Sequence, residues 1–311
     1  MLIASAPHVG RVRTLASWLI WPLFYCAGLA GTGLALASDR PLVWFNAVYL
    51  SIALCIGVLE RVMPHEKSWL DHDHQTLTDL AHTLFNKGVV QVIAAILISV
   101  TMATAEVIGP EARTPTSLWP HQWPLAVQII LGLVIAELGL YAAHRAAHEL
   151  PGLWRFHALH HSVERLWVVN TGRFHIVDTA IMIVFSQTPL YLLGAPTPVF
   201  LWISGITAVT GLLTHCNIAV RTGPLDFVFA TPALHRWHHS KVLEEGNRNY
   251  GENIVLWDLI FGTYHNSSRR PPADIGIQGR IAPGFFGQLL QPFTGKGFRE
   301  LVGGDQPSAA E

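Results

Sequence analysis

Charged residues are scarce in this chain of 311 amino acids. Only 13% of the residues are Asp, Glu, Lys or Arg, whereas 50% are hydrophobic. A water-soluble domain carries about 25% charged residues, so this composition is not that of an ordinary soluble protein. The net charge of −1 also lacks the basic excess of a nucleic-acid-binding protein, and we expect no nucleic acid among its partners.

Cysteine is rare as well. The three residues, Cys26, Cys55 and Cys216, lie in apolar surroundings and share no short spacing. They therefore provide neither a disulfide framework nor a Cys-x-x-Cys metal site, and four-thiolate ligation of an iron–sulfur cluster is excluded. We expect all three to be buried thiols without a catalytic role.

Long apolar segments are abundant and predict an integral membrane protein. Roughly 18–20 apolar residues span a bilayer as a helix. Four segments are long enough, and they cover residues 15–38, 42–60, 88–106 and 125–143. A fifth region, 176–214, is nearly free of charge and is interrupted at 194–198 by Gly-Ala-Pro-Thr-Pro. This interruption predicts two shorter helices that form a hairpin inserted into the membrane.

The basic residues predict how the chain is oriented. Arg11 and Arg13 precede the first span, which places the N-terminus in the cytoplasm by the positive-inside rule. Alternation then places the loop 61–87, and everything from His144 onward, on the cytoplasmic side. We therefore predict an all-α membrane protein with about four transmembrane helices, the membrane-inserted hairpin and a cytoplasmic helical cap.

Histidine is abundant, and its 17 residues are clustered. His-Arg-Ala-Ala-His at 144–148 follows the fourth span, and the i, i+4 spacing puts both imidazoles on one helix face. The pattern His-x-x-His-His occurs at 157–161 and again at 235–239, on either side of the hairpin. His215 lies where the hairpin returns to the cytoplasmic side. The candidate ligands are His144, His148, His157, His160, His161, His215, His235, His238 and His239.

Clustered imidazoles at one face of the membrane predict metal binding. Because these histidines are too many for one ion with about four to six ligands, two ions are implied. Imidazole suits iron, copper, zinc or nickel, and spacing alone does not separate iron from zinc. A metal transporter would need polar ligands inside the spans, and the first three spans have almost none. An oxygen-activating iron enzyme and a zinc-dependent membrane hydrolase both stay open.

The three clusters resemble the histidine boxes of the fatty acid hydroxylase and sterol desaturase superfamily of membrane di-iron oxidases. The resemblance extends to TDLAHTLFN at 78–86, THCNI at 214–218 and NRNYGENIVLWDLIFGTY at 247–264, and it covers about 60–264. It implies that the nine histidines bind two iron ions and that dioxygen is the co-substrate. It also implies hydroxylation or desaturation of an apolar lipid, whether fatty acyl, sterol-like or ether lipid.

The predicted elements divide the chain into three parts, and the resemblance adds a few supporting residues. The parts are transmembrane helices at 1–143, a catalytic region at 144–265 that includes the hairpin, and a C-terminal tail at 266–311. The resemblance implies that Asn249, Tyr250 and Asp258 orient the ligands; the alternative is that they form a turn that positions the last helix. Family members often have Arg-x-His-Pro where this chain has Arg173-Phe-His175-Ile. We interpret Arg173 and His175 as an interfacial anchor of the hairpin, with His175 a possible supporting residue of the metal site.

Such an oxidase needs two electrons per turnover, and no electron carrier is recognisable in the sequence. The chain has no Gly-x-Gly-x-x-Gly dinucleotide motif after a strand and no room for a fused haem domain. We expect a separate ferredoxin, small haem protein or reductase to dock on the cytoplasmic face. Arg145, Arg155, Arg236 and Arg248 surround the histidine boxes, where they either attract an acidic partner or reflect the positive-inside bias of cytoplasmic segments.

Overall fold

A computed structural model describes residues 10–108 and 118–295. Within these ranges the chain is all-helical, and its β-structure is limited to isolated bridges. The α-helices are α1 (Arg11–Leu36), α2 (Pro41–Val62), α3 (Thr76–Ile108), α4 (Leu125–Glu149), α5 (Pro151–His161), α6 (Ile176–Leu193), α7 (Thr197–Thr214), α8 (Pro232–His238), α9 (Leu243–Gly246), α10 (Leu256–Phe261) and α11 (Phe285–Leu290).

Five of the described helices are long and apolar enough to cross a membrane. They are α1, α2, α4, α6 and α7. The predicted span 88–106 falls within α3, and most of its side chains lie outside the described residues. The prediction of an all-α integral membrane protein is confirmed.

The hairpin predicted at 176–214 consists of α6 and α7. Each helix has 18 residues, which corresponds to a length of roughly 27 Å. Gly194 ends α6 in the left-handed conformation with φ of 81°, and Pro196 directly precedes α7. Because the chain turns here, His175 before α6 and His215 after α7 lie at the same end of the hairpin.

The hairpin packs closely against α4. A Cβ atom at Gly139 would lie 2.0 Å from the carbonyl oxygen of Phe185 in α6, so only glycine permits this approach. On the other side, α7 packs against α1 and α2 through buried side chains that include Trp21, Ile56 and Leu212. This packing fixes the histidine-bearing end of α4 beside the start of α6.

The segment after residue 265 packs across the helical cap. The indole Nε1 of Trp69 donates to the carbonyl of Ala273, and Gly276 N donates to the carbonyl of His239. Gln288 in α11 is hydrogen-bonded to His82 of α3 at 3.0 Å. The described part of the tail, up to residue 295, thus contacts both the third histidine box and α3.

The cysteine positions differ from the expectation. Cys216 is buried, but Cys26 and Cys55 lie on the outer faces of α1 and α2. The prediction of burial is therefore wrong for these two. An apolar span presents part of its surface to lipid, and the sequence pattern did not distinguish that face from the packed one.

Candidate metal centre

The nine predicted histidines lie together at one end of the helical bundle, in two separate groups. Group A contains His144, His148, His157, His161 and His238, and group B contains His160, His215, His235 and His239. Within each group, one ligand atom from every imidazole lies within 4.8 Å of all the others. This arrangement fits one metal ion in each group, although ligation itself stays a prediction.

The helical repeat explains how the residues are divided. In α5, the i, i+4 pair His157 and His161 faces group A, whereas His160 faces group B. In the third box the distribution is reversed, because the i, i+4 pair His235 and His239 faces group B and His238 faces group A. Each His-x-x-His-His box therefore contributes to both groups.

The imidazoles of α5 and of the segment after the hairpin are in a state that suits metal binding. Burial, and then the neighbouring imidazoles, hold the pKa of His160, His161 and His239 well below its ordinary value. Burial also lowers the pKa of His215 to about 3. At neutral pH these rings are uncharged and have a lone pair available for a cation, as metal ligation requires.

Three histidines of group A show where that lone pair lies. Nδ1 of His144 is 2.9 Å from the carbonyl oxygen of Tyr250, and Nδ1 of His238 is 2.7 Å from that of Arg248. Nδ1 of His148 is 3.0 Å from the side-chain oxygen of Asn247. Because a carbonyl oxygen can only accept, each Nδ1 must be protonated, which leaves Nε2 with the lone pair.

The Nε2 atoms of His144, His148 and His238 are buried and have no hydrogen-bond partner among the described residues. Three lone pairs buried without a donor are costly, and a shared cation would satisfy all of them. In group B, Nε2 of His235 lies 2.9 Å from Nε2 of His215 and 3.1 Å from Nε2 of His239. The residues present therefore fit a metal ion in both groups.

Two further hydrogen bonds orient one ring in each group. Asp178, in the first turn of α6, accepts from Nδ1 of His157 at 2.9 Å. Asn170 accepts from Nδ1 of His215 at 3.0 Å and thereby orients a ring of group B. Such outer partners fix the tautomer and direction of metal-binding imidazoles.

The loop that follows the third box is held in place by two carboxylates. Asp258 accepts from the backbone N–H of Tyr250 at 2.8 Å and of Gly251 at 2.7 Å. Glu137, fully buried in α4, accepts from Glu252 N and Asn253 N. The loop in turn presents the Tyr250 carbonyl to His144.

Asn249 connects the same loop to α8. Its backbone is in the left-handed region with φ of 54°, and its side chain donates to the carbonyl oxygens of Leu234 and His265. Tyr250 accepts from His144 through its carbonyl and also packs its ring against His144, His148 and His238, whereas Asp258 acts through the backbone of the loop. That these three residues orient metal ligands stays a prediction, and the geometry is consistent with it.

The structure corrects the expectations for three basic residues. Arg173 is buried and forms an ion pair with Asp79, and both nitrogens of His175 are engaged, by Val177 N and by the Leu289 carbonyl. The interpretation of Arg173 and His175 as an interfacial anchor is therefore wrong. His175 caps α6, whose first turn presents Asp178.

Arg236 was expected on a surface that attracts an acidic partner. It is instead 2% exposed and donates to the carbonyl oxygens of Cys216 and Ile218. A basic residue beside a histidine box is expected to be solvated. Here the guanidinium instead holds the backbone of the segment that follows α7. Arg145, Arg155 and Arg248 are partly exposed.

The sequence reasoning missed the acceptors that orient the rings, either directly or through the loop 249–253. Asp178 and Glu137 had a signal, because a carboxylate inside an apolar segment is a candidate functional residue by default. Asn247 begins the segment 247–264 that carries the family resemblance, but nothing in the sequence singles it or Asn170 out as an acceptor, since an asparagine in a polar connection is typical of any turn.

Helices of membrane-spanning length with two groups of buried imidazoles at one end define a polyhistidine membrane protein. The profile of the fatty acid hydroxylase family matches residues 129–263. The ornithine lipid hydroxylase OlsE of Rhizobium tropici is 59% identical over 293 residues, which cover 94% of this chain and 88% of that protein. The chain therefore belongs to the fatty acid hydroxylase family.

More distant relatives have related names. The alkylglycerol monooxygenase of Caenorhabditis elegans is 26% identical over 159 residues, 51% of this chain and 30% of that protein. The sphinganine C4-monooxygenase 2 of Arabidopsis thaliana is 23% identical over 239 residues, 75% of this chain and 89% of its own length. No solved structure matches the chain significantly.

Proposed function

We propose that this protein is a membrane-bound lipid hydroxylase that uses two iron ions and dioxygen. The main observation is that nine histidines form two groups, whose members include buried Nε2 atoms without a hydrogen-bond partner in the described chain. Family membership supports the same conclusion, because relatives are named as hydroxylases or monooxygenases of lipids. Hydroxylation is favoured over desaturation for that reason.

Iron bound in the two groups would supply dioxygen activation. The overall reaction converts one C–H bond, one dioxygen, two electrons and two protons into a C–OH bond and water. The residues of this chain hold the site ready for it. Asp178, Asn170 and Asn247 orient imidazoles by accepting their Nδ1–H groups, and burial of the rings keeps bulk water away.

We propose a lipid with an ornithine head group as the substrate. Support comes from the 59% identity to an ornithine lipid hydroxylase over nearly the whole chain. The lipid would enter from the bilayer, where α1, α2, α4, α6 and α7 lie. We further propose that the histidine groups face the cytoplasm, as the basic residues near the first span indicate, and that a separate electron carrier supplies the electrons.

Growth of cells with and without the gene under isotopically labelled dioxygen tests this function. Lipid extracts are compared by mass spectrometry, with His238→Ala as the inactive control. We expect a gene-dependent ornithine lipid with one labelled oxygen. A gene-dependent loss of two hydrogens without label would instead identify a desaturase.

The metal is tested separately on anaerobically purified protein. We expect one iron ion for each of the two groups. Chelation should abolish activity, and ferrous iron should restore it whereas zinc should not. Protein that contains zinc alone and is active without oxygen would refute the iron proposal in favour of the hydrolase alternative.

A further inference from the structure

Three aromatic side chains other than histidine contact the imidazoles of the two groups in the described part of the chain. Tyr250 is buried, whereas Trp154 and Phe174 are half-buried. Phe174 stacks on His160 and lies just before α6 of the membrane hairpin. Trp154 belongs to the first turn of α5, outside the membrane-spanning helices.

The indole of Trp154 contacts two rings of group A. Its centroid is 5.3 Å from that of His148 and 5.5 Å from that of His161. His161 in turn stacks on His239 of group B, with centroids 4.4 Å apart and planes inclined by 26°. A continuous series of packed rings therefore runs from Trp154 through group A to group B.

Trp154, the first ring of this series, lies beside a corner of the molecule that faces water. The corner between α4 and α5 protrudes, since Leu150 is 53% exposed and a side chain at Gly152 would meet nothing within 4 Å. Glu149 and Arg155 on the same corner indicate that this surface faces water. Trp154 is the aromatic ring next to this corner.

We propose that Trp154 is the point at which electrons enter the metal centre. The inference rests on the proposed function, because it requires redox-active metal in groups A and B. A one-electron carrier protein docks over the corner 149–155 and is oxidised in two successive encounters. Each encounter passes one electron through the indole, so that one electron reaches each group before dioxygen and lipid react. Close packing favours this route, because electron transfer slows steeply as the gap between the partners widens.

Stopped-flow reduction of iron-loaded protein tests the proposal without oxygen or lipid. A reduced [2Fe–2S] ferredoxin is the probe, and its reoxidation is followed by absorbance. For Trp154→Leu we expect reoxidation to slow by about tenfold or more, equivalent to a barrier increase of about 1.4 kcal/mol. Trp154→Phe keeps a smaller aromatic ring, so its reoxidation rate should lie between those of Trp154→Leu and the wild type. Iron content should equal that of the wild type in both variants.

A second measurement separates electron entry from packing. Protein fully reduced beforehand with dithionite and methyl viologen is mixed with oxygenated lipid, and product from a single turnover is measured. We expect both variants to give the wild-type yield. Trp123→Leu is the matched control, because Trp123 is exposed at the opposite end of α4 and should leave both measurements unchanged.

The outcomes are distinguishable. Wild-type reduction rates in Trp154→Leu would overturn the inference, and so would loss of single-turnover product in iron-replete Trp154→Phe, since Trp154 would then act through packing. If Trp154→Leu binds less iron, the reduction rate of iron-replete Trp154→Phe is the test: a rate below that of the wild type supports the inference, and the wild-type rate overturns it. A wild-type protein that gives no product after full reduction would overturn the proposed function instead.

Discussion

The carboxylate of Asp178 is expected to determine how tightly group A holds its metal ion. It accepts from Nδ1 of His157 at 2.9 Å, and the two side chains are only 3% and 0% exposed. A hydrogen bond to a charged group contributes about 1.5–3 kcal/mol, compared with about 0.5–1.5 kcal/mol between neutral groups. Asp178→Asn keeps an acceptor oxygen but removes the charge, at a cost of about 1–1.5 kcal/mol.

About 1.4 kcal/mol corresponds to a factor of ten in a dissociation constant, so Asp178→Asn should raise the Kd for iron by roughly fivefold to tenfold. Asp178→Ala also removes the acceptor, so the loss should approach the upper end of the roughly 10–100-fold range for such partners. The assay is competition for ferrous iron between the detergent-solubilised protein and a chelator of known affinity, under argon.

Asp226→Asn is the matched control for this experiment. Asp226 is also buried and accepts from Thr222 and Thr231, but none of its hydrogen bonds in the described chain involves an imidazole. Its replacement should leave the iron affinity unchanged. Wild-type affinity in a folded Asp178→Ala protein would refute the role assigned to the carboxylate.

Three other substitutions have defined outcomes. His215→Ala should remove more iron than loss of one imidazole from group A, because group B has four candidate ligands and group A has five; metal analysis after gel filtration checks this, and equal losses would contradict it. Gly139→Ala should lower the free energy of unfolding by about 1–3 kcal/mol, and with it Tm, because the new Cβ overlaps the backbone of α6. Gly152→Ala, where a Cβ meets nothing, should leave Tm unchanged. Arg173→Leu leaves Asp79 buried without its ion-pair partner, although Trp167 Nε1 still donates to it, and should lower the free energy of unfolding by about 3–5 kcal/mol in denaturant unfolding. A double variant with Asp79→Leu should recover much of this loss, and no recovery would argue against the ion pair.

The sequence predicted the elements whose signals are local. Apolar runs identified the helices, and the interruption at 194–198 identified the hairpin turn. The His-x-x-x-His box, the two His-x-x-His-His boxes and the place of His215 after the hairpin together identified the nine imidazoles that the structure brings together. These features depend on patterns within short stretches of chain, which a sequence displays directly.

The surroundings of the imidazoles could not be predicted in the same way. Asn247 is 99 residues from His148, and Asn170 is 45 residues from His215. Such pairs depend on how loops meet after the helices have packed. Arg236 could not be predicted for the same reason. A basic residue at a membrane boundary has the same sequence context whether its side chain is solvated or is buried and donates to backbone carbonyls.

The division of the two groups across the hairpin has a consequence for biogenesis. His160 is synthesised before the hairpin, whereas His215, His235 and His239 follow it. Group B therefore cannot assemble until α6 has entered the bilayer, α7 has returned and α8 has folded against α5. A cation that binds only the assembled group would stabilise the inserted state by mass action, so that metal supply in the cell would select chains whose membrane insertion is complete.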